Sequence, residues 1–243
     1  MALCIFLAGA SGAIGRRLVP LLRDAGHSVV GATRAPAKAE MLRALGAQPV
    51  VLDVYDVAAL DRAVTAARPQ VVIHQLTDLP PDLDPARMEA ATPLNARIRD
   101  EGTRNLVRAA LAAGARRLVA QSIAWAYAPG PEPHSEDDPL ELDAEGRRGV
   151  TVRGVAALER QVLNAPPLEG VVLRYGQLHG PGTGADAPRG AAPLHVDAAA
   201  HAALLATERG APGLYNIAEP NAYVTTDKAR RELGFDAGFR LKG

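Results

Sequence analysis

Lysine is nearly missing from this chain. Of its 27 basic residues only Lys38, Lys228 and Lys242 are lysine, and the rest are arginine. An amine of tunable pKa is therefore excluded from the whole interval between Lys38 and Lys228, and a guanidinium does not replace it as a proton carrier. Cysteine is scarcer still. The single Cys4 excludes a disulfide framework, and its place in an apolar run suits a small buried side chain. With one cysteine, and with His27, His74, His134, His179, His195 and His201 at no ligand spacing, neither a zinc site nor any other metal is expected. An excess of either charge is missing too. The 27 acidic residues balance the 27 basic ones, which leaves no electrostatic footprint for nucleic acid or an anionic membrane. No apolar run approaches a membrane-spanning length and no basic, apolar leader is seen. A cytoplasmic protein is expected, with small molecules or a second copy of itself as partners.

What the chain does have is a glycine-punctuated opening. Leu3 to Arg34 reads as strand, turn, helix and second strand. The run Leu3–Leu7 is too short for a helix and meets Gly9, Gly12 and Gly15, spaced GxxGxxG. A Cβ at Gly9 or Gly12 would obstruct a pyrophosphate lying on the main chain, and Gly15, one turn into the helix, permits close packing on the first strand. The free N–H groups and positive dipole end of that helix face the phosphates. Gly26 ends the helix before the strand Ser28–Ala32. A glycine triplet alone is a weak sign, but in this order of elements it is a nucleotide-binding turn.

Beyond Arg34 the pattern alternates. A helix over Pro36–Leu45, a strand Gln48–Leu52 ending in Asp53, a helix capped by Asp56 with Val57, Leu60 and Val64 on one face, and a strand Val71–Ile73 closed by His74 and Gln75 give a βαβαβαβ order. That order predicts an α/β fold, a Rossmann-type doubly wound parallel sheet. A long helix over Thr92–Ala113, a strand Arg117–Gln121 ending at Ser122, an acidic loop Ala128–Gly146 and a helix over Val150–Leu163 follow. Val152, Val155, Leu158 and Val162 form the buried stripe of that last helix. After a strand Gly170–Tyr175 come a mobile link Pro181–Leu194, a helix from an Asp197 cap to Glu208, a strand Leu214–Ile217 and a helix Asp227–Leu233. Residues 1–243 are expected to form a single domain, with 176–243 a reduced C-terminal substrate region. The acidic loop follows the carboxyl end of a strand, where open α/β sheets bind ligands, and its His134 is a minor candidate to reach a substrate.

With the glycine turn, the segments Asp53-Val54, Asn105-Leu106-Val107, Ser122 with Tyr127, Glu136-Asp137-Asp138-Pro139, Leu173-Arg174-Tyr175-Gly176, Gly180-Pro181-Gly182, His195-Val196-Asp197 and Tyr215-Asn216-Ile217 complete a pattern. It resembles the extended short-chain dehydrogenase/reductases of the NAD(P)-dependent epimerase/dehydratase type. The resemblance implies that Asp53 binds the adenine amino group, with Val54 in the same pocket. It implies that Gly9, Ser11, Gly12, Ala13, Ile14, Gly15, Thr33, Arg34, His74 and Gln75 complete the cofactor site, and that Ser122 is a catalytic serine. It also implies a homodimer through the helices Thr92–Ala113 and Val150–Leu163, where Ala109, Ala110, Ala112 and Ala113 permit close approach. The family's Tyr-x-x-x-Lys pair does not fit. Matching the glutamate that follows it to Glu159 puts Thr151 at the tyrosine position and Val155 at the lysine position.

Two functions stand side by side. One is an NADP(H)-binding oxidoreductase or epimerase/dehydratase-like enzyme acting on a small carbonyl or hydroxyl compound; the other is a cofactor-binding regulator or scaffold with a degenerate site. NADP(H) is expected over NAD(H), because Thr33 and Arg34 stand where an acid would hold the ribose hydroxyls of NAD and a guanidinium suits a 2′-phosphate. Arg16 is expected to assist. Tyr127, the sole tyrosine between Tyr55 and Tyr175, is the candidate acid for hydride transfer, facing the cleft with Ser122.

Overall fold

Strict alternation of side chains along short apolar strands divides the core into two layers, one on each side of a sheet. The computed structural model describes residues 1–80 and 83–241; Lys242 lies outside them. The strands are β1 (Cys4–Ala8), β2 (Ser28–Thr33), β3 (Gln48–Val51), β4 (Val71–His74), β5 (Arg117–Ile123), β6 (Glu169–Tyr175), β7 (Gln177–His179), β8 (Pro193–His195) and β9 (Gly213–Ile217). Seven of them pair in parallel in the order β3-β2-β1-β4-β5-β6-β9, while β7 and β8 pair with each other. The helices are α1 (Ala13–Asp24), α2 (Ala39–Ala44), α3 (Val57–Ala67), α4 (Met88–Arg97), α5 (Thr103–Ala112), α6 (Gly146–Leu163), α7 (Val196–Leu205) and α8 (Asp227–Leu233). Ile5, Leu7, Ile73 and Leu173 meet Leu18 and Leu22 of α1 and the alanines of α7 on one face. Phe6, Ala8, Val72 and Val172 meet Leu60 of α3, Leu106 of α5 and Leu158 of α6 on the other. The two-residue period of a strand and the 3.6-residue period of a helix are thus satisfied together. In α7, Ala198, Ala199, Ala200, Ala202 and Ala203 are fully buried, and their small side chains bring that helix close onto α1.

Four expectations change. The long helix begins at Met88 rather than Thr92 and is interrupted by a π-helical turn, Ile98–Gly102, between α4 and α5. Helix α6 begins at Gly146, ahead of Val150. Asp197 does not cap α7. The His195 ring accepts the Asp197 N–H at 3.2 Å, while Asp197 sits in the first turn and reaches Arg17 at 3.5 Å. Ala109 and Ala110 face the chain's own sheet, 1% and 0% exposed, so these two alanines offer no surface to a second copy. The acidic loop is irregular, as expected, but it is tied down: β-bridges join Tyr127 to Leu140 and His134 to Val224, and both His134 and Glu136 are buried.

Candidate functional site

The strand order reverses between β1 and β4, and the carboxyl ends of those two strands open into a cleft of about 1170 Å³. Such a switch point is where doubly wound sheets bind nucleotides. Gly9 has φ +88°, and a Cβ there would lie 2.5 Å from the Gln75 carbonyl oxygen, so the turn after β1 is pressed against the end of β4. A Cβ at Gly15 would stand 2.3 Å from the Gly9 carbonyl oxygen, which seals α1 onto the turn that precedes it. Gly12 differs. Its missing Cβ would meet only the Gly9 carbonyl oxygen, at 3.4 Å, so the main chain there is open to the cleft. Helix α1 has no side-chain cap and no acid in its first turn, which leaves its N–H groups for an anion. These features fit a dinucleotide's pyrophosphate. Gly9, Ser11, Gly12, Ala13 and Ile14 line the cleft, whereas Gly15 is buried behind them.

Thr33, Arg34, Asp53, Val54 and Gln75 also line it, and so do Lys38 and Tyr55. The Asn105 amide donates to the Val54 carbonyl at 3.0 Å and so fixes the segment after β3. Ser11 and Thr33 hydroxyls lie 3.0 Å apart, bridging the two βα turns. Arg34 is not the unencumbered guanidinium that its sequence position suggests. It donates to Asp78 at 2.6 Å, and that hydrogen bond with the Asp78 charge raises its pKa.

At the other end Ser122 lines the cleft, but its hydroxyl donates to Glu159 Oε1 at 2.7 Å. Glu159 is held by Arg174 through two hydrogen bonds, Nε to Oε1 at 2.9 Å and Nη2 to Oε2 at 2.7 Å. Arg174 Nη1 also donates to the Tyr127 hydroxyl at 2.9 Å, and Tyr127 donates to Asn216 Oδ1 at 2.7 Å. Tyr127 is 1% exposed, stacks on His134 and lies away from the cleft, and burial raises its pKa. The expectation that it faces the cleft beside Ser122 is therefore corrected, and with it the reach of His134. The expected place of His74 is corrected as well. Its ring, 0% exposed, points under α5 to Thr103 at 3.0 Å and is absent from the cleft wall. Thr151 lines the cleft, while Val155 is buried against Ala126 and Val152. The Gln75 amide donates to the Tyr175 hydroxyl at 3.2 Å, and burial holds Tyr175 well above the ordinary phenol range.

Most of the cleft's charge comes from residues that no local sequence motif marks. Among the described residues six cations line it, Arg16, Arg34, Lys38, Arg99, Arg147 and Arg189, against one carboxylate, Asp53. In a chain of zero net charge this is a concentrated positive field. Among the described residues no group of three or more His, Cys, Asp or Glu is placed to hold a metal ion, and no helix is long and apolar enough to cross a membrane.

Residues 9–187 match the model of a family described as NAD(P)H-binding. A 3-diazoavenalumate denitrifying reductase from a Streptomyces species is 45% identical over 237 residues, covering 88% of this chain and 75% of that protein. A dTDP-4-dehydrorhamnose reductase from Streptomyces griseus is 33% identical over 174 residues, covering 72% of this chain and 49% of its own length. Among solved structures, UDP-glucose 4-epimerase from Thermotoga maritima superposes with a TM-score of 0.77 at 18% identity, covering 97% of this chain and 94% of the epimerase. The Bordetella bronchiseptica enzyme WbmG, in complex with NAD and UDP, gives 0.73 at 19% identity, covering 99% and 91%.

Proposed function

Because the chain belongs to the NAD(P)H-binding family, in the superfamily of short-chain dehydrogenase/reductases and NAD-dependent epimerases/dehydratases, we propose that it is an NADPH-dependent reductase whose acceptor takes no proton from the protein, an arene-bound diazo group being the class that fits. The observation that carries this reading is the fate of the hydroxyls at the Ser122 end. Ser122 directs its proton to Glu159, Tyr127 is turned into the core, and Thr151 offers only an aliphatic alcohol on the cleft wall. Burial makes the Tyr175 phenol a weaker proton donor than a free one, and no lysine lines this end among the described residues to strengthen it. A carbonyl acceptor needs a proton on oxygen as hydride arrives, and alcohol oxidation or epimerisation needs a base to remove one. A nicotinamide held in the cleft would supply hydride, and hydride added to an arenediazonium replaces the C–N bond with C–H and releases dinitrogen with no proton required. The name of the Streptomyces relative describes a reductive denitrification of a diazo compound, and that supports the choice. A purely regulatory role has less support, since both Streptomyces relatives are reductases by name.

The test is to mix the full chain and NADPH with an arenediazonium salt, against a protein-free control, and to follow NADPH loss and gas release across pH 6 to 8. One dinitrogen per NADPH and a flat profile are expected. Reduction of aldehydes or ketones with no catalysed loss of dinitrogen would reject the reading.

The cofactor preference is part of the proposal. Arg34 can exchange Asp78 for a 2′-phosphate, with Lys38 as a second cation on the same wall. Arg34→Ala should weaken NADPH about tenfold and leave NADH unchanged, and Asp78→Asn should tighten NADPH. Equal wild-type affinities for the two cofactors would end that idea. A homodimer stays part of the proposal as well, now resting on Leu94, Leu111 and Leu163, which are exposed on α4, α5 and α6. A monomer by light scattering at micromolar protein would remove it.

A further inference from the structure

The π-helical turn Ile98–Gly102 places one side chain that neither the fold nor the hydroxyl network uses. Arg99 is 7% exposed and lines the cleft, yet its Nη1 is fully buried and has no hydrogen-bond partner among the described residues. Turns of this kind interrupt helices frequently at functional sites. Burial lowers the Arg99 pKa to about 10, with the Glu159 charge opposing the shift, so the group is still a cation at neutral pH. Glu159 does not neutralise it, because its oxygens are taken by Arg174 and Ser122. A buried cation with an idle donor is costly unless something pairs with it.

The turn packs against α6, which carries Glu159, the partner of Ser122, and this puts Arg99 at the reacting end of the cleft. The pyrophosphate has its own donors at the open main chain of Gly12 and the start of α1. Around the reacting end stand the indole of Trp125 and the aliphatic side chains of Ile123 and Leu178, with Arg147 and Arg189 at exposed positions of the same wall. Apolar and aromatic side chains that share a cleft with a buried guanidinium match an aromatic ring that carries an oxyanion.

We propose that Arg99 is a substrate-binding residue that pairs with the carboxylate of an aromatic acid, with Arg147 and Arg189 drawing the anion into the cleft. This deepens the diazo-reductase reading by naming the rest of its substrate, and it rests on that reading for the reacting group only. A nucleoside diphosphate would offer oxyanions too, so the test includes one.

Cinnamate, methyl cinnamate and UDP are titrated calorimetrically into the full chain saturated with NADP⁺. Wild type should bind cinnamate at least about tenfold more tightly than the ester or UDP. Arg99→Gln should remove that preference while NADP⁺ affinity stays within about twofold, and Arg99→Lys should restore part of it. Because Arg99→Gln deletes an unpaired buried charge, its thermal midpoint should not fall. Arg147→Ala should weaken cinnamate more at low salt than at high salt, a readout that needs no change at Arg99. Equal binding of acid and ester by wild type, no detectable cinnamate binding, tighter binding of UDP, or loss of NADP⁺ in Arg99→Gln would each overturn the proposal. None of these ligands carries a diazo group. A protein that binds cinnamate as described and fails to denitrify a diazonium would therefore refute the reaction and leave the anion site standing.

Discussion

Arg174→Leu is expected to destabilise the protein by ~3–5 kcal/mol, and the double variant Arg174→Leu/Glu159→Leu by much less. Arg174 and Glu159 are 3% and 5% exposed and joined by two hydrogen bonds, so deleting the cation leaves a carboxylate in the core whose remaining hydrogen-bond donor among the described residues is the Ser122 hydroxyl. Removing both charges leaves an apolar pair of similar bulk. The residual loss then comes from the Tyr127 hydroxyl and the Glu136 carbonyl, which lose their Arg174 donor, and from the Ser122 hydroxyl, which loses its Glu159 acceptor. Ser122→Ala should cost only ~1 kcal/mol, as for one hydrogen bond to a charged group that keeps its main partner. Urea unfolding of the three variants measures all of this. An Arg174→Leu loss no larger than that of Ser122→Ala would show that the charge pair is not what holds β5, β6 and α6 together. The same pair has a functional consequence. By fixing Glu159 beneath Ser122 it directs the serine proton into the core and leaves only lone pairs facing the cleft.

The parts of the site that were legible in the sequence are those whose constraint is local. Gly9, Gly12 and Gly15 mark the turn because backbone contact is decided within a few residues, and Asp56 reads as a cap because its carboxylate accepts the Ala59 N–H three residues on, at 2.9 Å. What was not legible depends on partners far along the chain. Arg34 meets Asp78, 44 residues away, and Tyr127 meets Asn216, 89 residues away, and no local period encodes either pairing. Other misses had a local signal. Alternation along β4 puts His74 on the side of Val72, beneath α5, and so turns Gln75 toward the cleft; assigning both to the cofactor ignored the two-residue period. The π-helical turn was hidden because Ile98 and Leu106 are both buried, so the apolar pattern runs through the inserted residue without a break. Arg99 escaped notice for the same reason. Helix α6 began earlier than expected because Arg147 and Arg148, in its first turn, carry no apolar phase.

Acidification from pH 6.5 towards 4 is expected to remove up to ~3 kcal/mol of stability through His74 alone. The His74 Nδ1 accepts the Leu76 N–H at 3.1 Å, so the ring proton sits on Nε2 and is shared with the Thr103 hydroxyl at 3.0 Å. The neutral ring is therefore fully used. A second proton would displace the Leu76 N–H and add a cation near Arg99. Burial first, and the Arg99 charge second, lower the His74 pKa from 6.5 to about 4. Between those values the unfolded chain binds a proton that the native ring refuses, so stability is complete above pH 6.5 and falls as the pH drops through that window. Below about 4 this group adds no further slope. Carboxylates titrate in the lower half of the same range, and the comparison with His74→Gln separates the two. The variant should be less stable than wild type at pH 7.5, having lost part of the buried bonding, and its stability should decline less between pH 6.5 and 5. Urea midpoints at pH 7.5, 6.5, 5.5 and 5.0 provide the measurement, and parallel curves for the two proteins would show that His74 is not the proton-linked group. NADP⁺ affinity should fall over the same range, because the next residue, Gln75, packs its backbone against Gly9 at the turn where the pyrophosphate binds.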